Sequence, residues 1–228
     1  MSRLLLEVIV QTVADAVAAA KGGADRLEVV RDIAVGGLTP PLALVREIAA
    51  ATTLPLRVMV RENGGYATDA RELIALRAAA AEFAAIGVDG LVVGFANPAG
   101  VGLADVAGVL EATPSMRATF HRAFDCLVDP LAAIDDLHDL PQIDRILTSG
   151  GDGAPDARCE RLAAFADRAG ERFGIIAGGG VTDALIERIA RSGCVREVHV
   201  GRAARDGNPA APVSAARVRY LRELASTT

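Results

Sequence analysis

Carboxylates and a histidine interrupt otherwise apolar segments of this chain. Glu7 and Glu28 each stand among Leu and Val residues, and His199 lies in a similar segment near the C-terminus. A charge inside such a segment costs on the order of several kcal/mol unless it is paired. Two explanations remain open: a structural network with Arg61 or Arg122, or a functional site.

Further polar residues follow the ends of apolar segments, and their chemistry suggests proton transfer and anion binding. Imidazole and carboxylate groups transfer protons, whereas guanidinium groups hold anions. The candidate catalytic residues are Glu28, His121 and Asp125. The candidate ligand-binding residues are Glu7, Arg61, Arg122, Ser149 and His199. His and carboxylate groups could also bind a divalent metal, but no HxH or HExxH spacing supports this, so no metal site is predicted.

Glycine-rich turns follow the last two apolar segments. Gly178-Gly179-Gly180 precedes a helix start at Thr182, and Gly201-Arg202 repeats the pattern one unit later. Backbone N–H groups in such loops cradle phosphate, because glycine has no Cβ to block the approach. Gly179, Gly180, Gly201 and Arg202 are therefore predicted to bind phosphate, the alternative being tight turns that bind nothing.

The elements that must position these residues alternate regularly between strand and helix. Strands are predicted near Leu4–Val10, Arg26–Val30, Leu56–Arg61, Gly90–Gly94, Ala118–Arg122, Arg145–Thr148, Gly174–Gly178 and Glu197–Gly201. Helices are predicted near Thr12–Lys21, Pro41–Ala51, Asp69–Ile86, Ala104–Glu111, Pro130–Asp139, Asp156–Ala169, Asp183–Ala190 and Val213–Leu224. Eight such units predict an α/β fold, a single (β/α)8 TIM barrel domain over residues 1–228, with a doubly wound open sheet as the alternative.

The helix-to-strand joints agree with this architecture. Gly23, Gly87 and Gly193 stand just past predicted helices, where a left-handed C-cap favours glycine. Similar short segments precede the second, fourth, sixth and eighth strands, which suggests an internal repeat or convergence on one loop chemistry. In a TIM barrel the functional site lies at the C-terminal ends of the strands, where the polar residues above are found.

Composition limits the possible partners. The net charge of −5 and the absence of Lys/Arg runs argue against nucleic acid. No signal peptide or membrane-spanning segment is recognisable, so we expect a cytoplasmic protein. The three cysteines, Cys126, Cys159 and Cys194, have no CxxC spacing and predict neither a disulfide framework nor a zinc site.

Several motifs together resemble the CutC family of barrel proteins, which is named for copper homeostasis. The motifs are Gly22–Glu28, Gly36–Pro40, Arg61 with Gly64-Gly65, Thr119–Asp125, Arg145–Gly150 and Glu197–His199. The resemblance covers nearly the whole chain and implies a cytoplasmic homo-oligomer that handles copper through Cu(I) binding. Copper is therefore the one cofactor that the resemblance implies.

The sequence departs from the family pattern in two places. Ile9 and Val30 occupy positions where the family carries cysteines proposed as copper ligands, and neither offers the soft donor that Cu(I) prefers. Cys126 remains, but one thiol does not make a copper site, and we expect Cys126 to be a small buried apolar residue. The linker Asp206–Pro212 is shorter than in similar chains, which predicts a more open barrel mouth.

Two functions are therefore weighed. The first is a copper-homeostasis protein, as the resemblance implies. The second is an enzyme that acts on a small anionic or phosphorylated metabolite. The residues favour the second, because the polar rim is intact while the thiols are absent.

Overall fold

The computed structural model describes residues 3–97 and 100–226, and in it eight parallel strands close into a barrel. The strands are β1 (Leu5–Val10), β2 (Arg26–Val29), β3 (Leu56–Met59), β4 (Gly90–Val93), β5 (Ala96–Asn97), β6 (Gly100–Val101), β7 (Arg117–Phe120), β8 (Ile143–Thr148), β9 (Gly174–Ala177) and β10 (Glu197–Val200). The pair β5–β6 forms a separate antiparallel hairpin, and the other eight strands form the barrel. The predicted (β/α)8 barrel is confirmed.

Helices cover the outside of the barrel. They are α1 (Val13–Gly22), α2 (Leu42–Ala51), α3 (Ala70–Ile86), α4 (Leu103–Leu110), α5 (Pro130–Leu137), α6 (Pro155–Ala169), α7 (Asp183–Ser192) and α8 (Ala215–Leu224). Short 3-10 helices, η1 (Ile33–Val35), η2 (Arg122–Cys126) and η3 (Arg202–Arg205), follow β2, β7 and β10. In the described part of the chain, no helix is both long and apolar enough to cross a membrane.

Local sequence signals account for the helix ends. The hydroxyl of Thr12 caps α1, and the hydroxyl of Thr182 caps α7. Gly23, Gly87 and Gly193 end α1, α3 and α7 with φ values of 90°, 85° and 65°. These values lie in the left-handed region, so the predicted glycine caps are confirmed.

Three strand boundaries differ from the prediction by two residues. The fifth barrel strand, β7, ends at Phe120 rather than Arg122, because η2 begins at Arg122. The third barrel strand ends at Met59 rather than Arg61, because the Arg61 amide leaves the sheet and donates to the hydroxyl of Thr39 at 2.9 Å. The sixth barrel strand begins at Ile143, two residues before Arg145. Neither the β5–β6 hairpin nor the 3-10 helices were predicted, since each is too short to produce a periodic pattern.

Buried ion pairs, rather than aliphatic side chains, fill the N-terminal end of the barrel. Arg57 donates to Asp89 at 2.7 Å and to both carboxylate oxygens of Asp144 at 3.0 and 2.9 Å. Glu197 accepts from Arg26 at 2.5 Å. Asp89 lies just before β4, and Asp144 and Glu197 lie at the starts of β8 and β10. These are three of the helix-to-strand joints that the sequence analysis found to be similar, and they supply the carboxylates that pair with Arg26 and Arg57.

Candidate functional site

A cavity of about 640 Å3 opens at the C-terminal ends of the barrel strands. Nine of the predicted site residues line it: Glu28, Arg61, His121, Arg122, Gly179, Gly180, His199, Gly201 and Arg202. Three others do not: Glu7, Asp125 and Ser149. The sequence analysis did not single out Met59, Tyr66, Thr182, Asp183 or Arg217, which also line it. These residues lie at the end of a strand, in loops or on helices, and only the barrel register shows that they face the same cavity.

Glu7, His199 and Glu28 form a buried row that reaches the cavity. Glu7 lies beside Arg26 and His199 on the two neighbouring strands. Its carboxylate bonds to Arg26 and, through Oε1, to Nδ1 of His199 at 2.7 Å. Nε2 of His199 then lies 3.6 Å from Oε2 of Glu28. The expected pairing of these carboxylates with Arg61 or Arg122 is wrong, because Arg26 supplies the counter-charge.

The electrostatics of this row place its two carboxylates in different protonation states. Burial opposes ionisation of Glu7, but Arg26 and His199 outweigh it and hold the pKa of Glu7 well below its usual range. Burial raises the pKa of Glu28 to about 7, and His199 only partly opposes this. Although burial lowers the pKa of His199, Glu28 and Glu7 raise it above its ordinary value overall. Burial thus favours the neutral form of Glu28, whereas the two carboxylates favour the protonated form of His199.

His121 is a fixed, neutral hydrogen-bond donor at the cavity wall. Its Nδ1 accepts from the amide of Ala123 at 3.1 Å, which places the ring proton on Nε2. Burial, with Arg61 nearby, lowers the pKa of His121 to about 3. A Cβ on Gly94 would lie 2.6 Å from Nδ1, so the ring packs directly on that glycine. Nε2 is buried and has no partner among the described residues.

Arg61 brings a buried cation to the cavity without a carboxylate. Its guanidinium donates to the carbonyls of Gly64 at 2.6 Å and Gly65 at 3.2 Å, and it stacks 4.7 Å from the ring of Tyr66. Burial lowers the pKa of Arg61, the direction expected for a cation without a counter-ion. In residues 3–97 and 100–226, no carboxylate forms an ion pair with it.

Asp125 positions its neighbours rather than facing the cavity. It accepts from Nε of Arg122 at 2.8 Å, from the hydroxyl of Thr148 at 2.6 Å and from the amide of Ser149 at 2.9 Å. The carboxylate thus joins η2 to the end of β8 and orients Arg122. The hydroxyl of Ser149 accepts from the amide of Gly151, so Ser149 closes the same turn.

The glycine turn after β9 places two left-handed residues at the cavity wall. Gly179 and Gly180 have φ values of 75° and 62°, and their carbonyls accept from Arg158 at 2.8 and 3.0 Å. Their amides donate to no described residue, which leaves both N–H groups free for a ligand. A Cβ on Gly179 would lie 2.7 Å from the guanidinium carbon of Arg122, so glycine is needed for the close approach.

The turn after β10 adds more positive charge. Arg202 begins η3, is exposed at the cavity and pairs with no carboxylate in the described chain. Arg217 of α8 also lines the cavity, but it pairs with Asp183. Gly207 and Pro209 of the C-terminal linker form part of the wall.

These features define a (β/α)8 barrel whose C-terminal mouth holds a cavity lined by arginines, two histidines and Glu28. Residues 4–204 match the CutC family model. The chain therefore belongs to the CutC family.

Relatives and a solved structure agree with this assignment. The chain is 34% identical to a CutC family protein of Xanthomonas campestris pv. campestris (strain 8004), covering 85% of this chain and 81% of that protein. It is 33% identical to the human copper homeostasis protein cutC homolog, covering 86% and 72%. The crystal structure of CutC from Streptococcus agalactiae superposes with a TM-score of 0.79 at 26% identity, covering 86% and 97%.

The donor set at the cavity does not fit a thiolate Cu(I) site. Glu7, Glu28 and His199 hold ligand atoms within 4.8 Å of one another, but Glu7 is already bound to Arg26 and to His199. The atoms left are a carboxylate and one imidazole nitrogen, whereas Cu(I) prefers sulfur. Ile9, at one of the positions where the resemblance implies a cysteine, lines the cavity. Cys126 does not line it and is exposed, so the expectation that Cys126 is a buried apolar residue is wrong.

Proposed function

We propose that this protein binds a small anionic metabolite in the cavity and acts on it by acid–base chemistry. The observation that carries the proposal is the unneutralised positive charge at the cavity, since Arg61 and Arg202 pair with no carboxylate among the described residues. A cation without a counter-ion in a partly enclosed site attracts an anion from solvent.

The turn after β9 supports a phosphate or carboxylate as that anion. Gly179 packs against Arg122, and both glycines lie shortly before the start of α7. Backbone N–H groups at a helix start stabilise negative charge. Arg202 would complete the site from the next loop, as the phosphate loops of other TIM barrels do.

Glu28 and His199 supply the acid–base component. Glu28 has a pKa of about 7, so both of its protonation states are populated at neutral pH. A general acid or base is most effective when its pKa lies close to the working pH. Glu7 holds His199 through Nδ1 and leaves Nε2 directed toward Glu28.

A thermal-shift screen with phosphate, sulfate and sugar phosphates tests the binding part. We expect at least one of these anions to raise the melting temperature, because a ligand that binds only the folded state stabilises it. The rise should be lost in Arg202→Ala and kept in the control Arg191→Ala, whose arginine pairs with Glu187 on the exposed face of α7. No stabilisation by any of the anions would contradict the proposal.

A role in copper homeostasis is the second candidate function. The human and mouse relatives bear that name. One feature of this chain offers soft donors: the thiol of Cys159 lies within hydrogen-bonding reach of the thiol of Cys194. Burial and this neighbour raise the pKa of Cys159 to about 11, which disfavours the thiolate that binds metal.

A Cu(I) titration under reducing conditions, in competition with a strong chelator, separates the two candidates. We expect no retained Cu(I), because the cavity lacks thiolates. Stoichiometric Cu(I) that is lost in Cys159→Ser would favour the copper role and locate it on α6 instead of in the cavity. The predicted homo-oligomer and cytoplasmic location stay predictions, and size-exclusion chromatography tests the first.

A further inference from the structure

Two buried polar atoms at the cavity lack partners and complement each other chemically. Oε1 of Glu28 and Nε2 of His121 form no hydrogen bond within the described chain, and both residues line the same cavity. Buried polar atoms are almost always hydrogen-bonded in folded proteins, so an unpartnered pair at a cavity points to a ligand. Oε1 of Glu28 can accept a proton or a hydrogen bond, whereas Nε2 of His121 can only donate a hydrogen bond.

The donor is held in one tautomer by the backbone. The amide of Ala123 donates to Nδ1 of His121, so the Nε2 position carries the hydrogen. The ring cannot swing away easily, because it packs on Gly94 and lies 5.4 Å from the ring of Tyr66. A neutral imidazole N–H suits a carbonyl oxygen that becomes negative during a reaction.

The acceptor, Glu28, lies next to His199, which in turn contacts Glu7. Oε2 of Glu28 lies 3.6 Å from Nε2 of His199, and Glu7 accepts from the other nitrogen of that ring. Oε1 of Glu28 is left for the ligand. Beyond the row, Arg122 and Arg202 provide a place for an anionic group.

We infer that the ligand is an anionic carbonyl compound, whose carbonyl oxygen accepts from His121 while Glu28 removes a proton from the adjacent carbon. The inference rests on the proposed function and names its substrate class.

The proposed step needs no cofactor and balances within the site. Glu28 takes the proton as its carboxylate becomes a carboxylic acid. The electron pair of the broken C–H bond forms a C=C bond, and the carbonyl π pair moves to the oxygen. His121 stabilises the resulting enolate oxygen by its N–H. The carboxylic acid of Glu28 then exchanges its proton with solvent, and its return to the same carbon restores the carbonyl and completes a hydrogen exchange.

Solvent-deuterium exchange, followed by proton NMR in D2O, tests the inference. The probes are pyruvate and dihydroxyacetone phosphate, which combine a ketone with a carboxylate or a phosphate. We expect the protein to accelerate loss of the proton signal next to the ketone of at least one probe. The rate should fall at least about 100-fold in Glu28→Gln, the usual size of a general-base contribution.

Substitutions at His121 separate a donor role from a packing role. His121→Phe keeps a ring against Gly94 but removes the N–H, and it should lower the exchange rate about 100-fold. His121→Gln restores an N–H donor and should recover part of the rate. Equal loss in both variants, with melting temperatures like the wild type, would overturn the donor role. The control Glu187→Gln, on the exposed surface of α7, should exchange like the wild type.

The experiments distinguish a failure of the proposed anion binding from a failure of the proposed proton transfer. If a probe raises the melting temperature but no exchange exceeds the buffer rate, the inference is wrong and anion binding stands. If neither probe nor phosphate binds, the proposed function fails as well. Exchange of the same rate in the wild type and Glu28→Gln would come from a contaminant and would also overturn the inference.

Discussion

Glu28 is a carboxyl group that burial keeps partly protonated near neutral pH. Its neighbours on one side are His199 and, beyond it, the ionised Glu7, while Oε1 is buried without a described partner. Glu7, one strand away, is ionised because Arg26 compensates its burial. Two glutamates of similar burial thus differ in their pKa because only one is paired with an arginine, and the proposed acid–base role of Glu28 rests on this difference.

The stability of the protein should depend on pH through Glu28. The pKa of Glu28 is about 7 when folded and near the ordinary 4.5 when unfolded, so the folded state binds more protons between these values. The contribution of Glu28 to the free energy of unfolding therefore falls as pH rises from about 4.5 through about 7. Relative to the wild type, Glu28→Gln should gain up to about 3 kcal/mol across this window. Urea unfolding of both proteins between about pH 5 and about pH 8 measures it, and a pH-independent difference would contradict the assignment.

Glu7 should matter more for stability than its single charge suggests. Glu7→Gln leaves His199 with a neutral partner in a buried site and Arg26 with Glu197 as its one remaining carboxylate among the described residues. We expect a loss of about 3 kcal/mol in the free energy of unfolding. Glu62→Gln is the control, because Glu62 pairs with Arg31 at 3.2 Å on a half-exposed surface and should cost at most about 1 kcal/mol. Similar losses in urea unfolding for the two variants would show that Glu7 is not the centre of a buried network.

The sequence predicted which residues interrupt the apolar segments better than it predicted their hydrogen-bond and ion-pair partners. Glu7, Glu28 and His199 were recognisable because each interrupts an apolar segment, but the sequence alone did not connect Glu7 to Arg26. That pairing depends on the register of β1 against β2 and β10, where Glu7 lies beside Arg26 and His199. Asp125 was predicted to be catalytic for its position after a strand, whereas its hydrogen bonds make it a positioning residue for Arg122.

At the scale of elements, the loop between β9 and α7 combines a left-handed backbone conformation with close packing of the backbone against the side chain of Arg122. Gly179 and Gly180 both have positive φ values, but only Gly179 packs against Arg122. The sequence pattern strand–glycines–helix predicted this turn correctly, because glycine is the residue that tolerates both features.

The two glycines provide a matched pair of variants. Gly179→Ala and Gly180→Ala should each lower the free energy of unfolding by about 1–2 kcal/mol, since each forces alanine into the left-handed region. Only Gly179→Ala should also weaken phosphate binding, because its Cβ would displace Arg122, whereas nothing lies within 4 Å of a Cβ on Gly180. Urea unfolding and a phosphate titration of both variants check this, and equal phosphate affinities would contradict the role given to Arg122.

At the scale of the whole molecule, the arginines at the two ends of the barrel differ in their partners. At the N-terminal end the buried arginines Arg26 and Arg57 are paired with carboxylates, as Arg57 is with Asp89 and Asp144. The C-terminal end holds Arg61 and Arg202, which have no carboxylate partner in the described chain. Paired charges specify packing, whereas unpaired charges at a cavity are available for a ligand.

The sequence predicted the barrel because eight apolar segments and eight amphipathic helices repeat along the chain. It did not predict the ionic N-terminal end, because Arg26 and Arg57 fall inside strands whose inward faces are known only after the barrel closes. The mouth could be located from strand ends alone, but the contributions of Arg217 and the linker near Gly207 come from distant parts of the chain.

A phosphate titration followed by backbone amide NMR tests most directly that the barrel mouth is an anion site. We expect saturable shifts of the Gly179, Gly180 and Arg202 amide signals, with signals at the N-terminal end of the barrel, such as Gly90, unchanged. The same titration of Arg202→Ala should require a higher phosphate concentration. Absence of saturable shifts at the mouth, or shifts confined to the N-terminal end, would contradict the account.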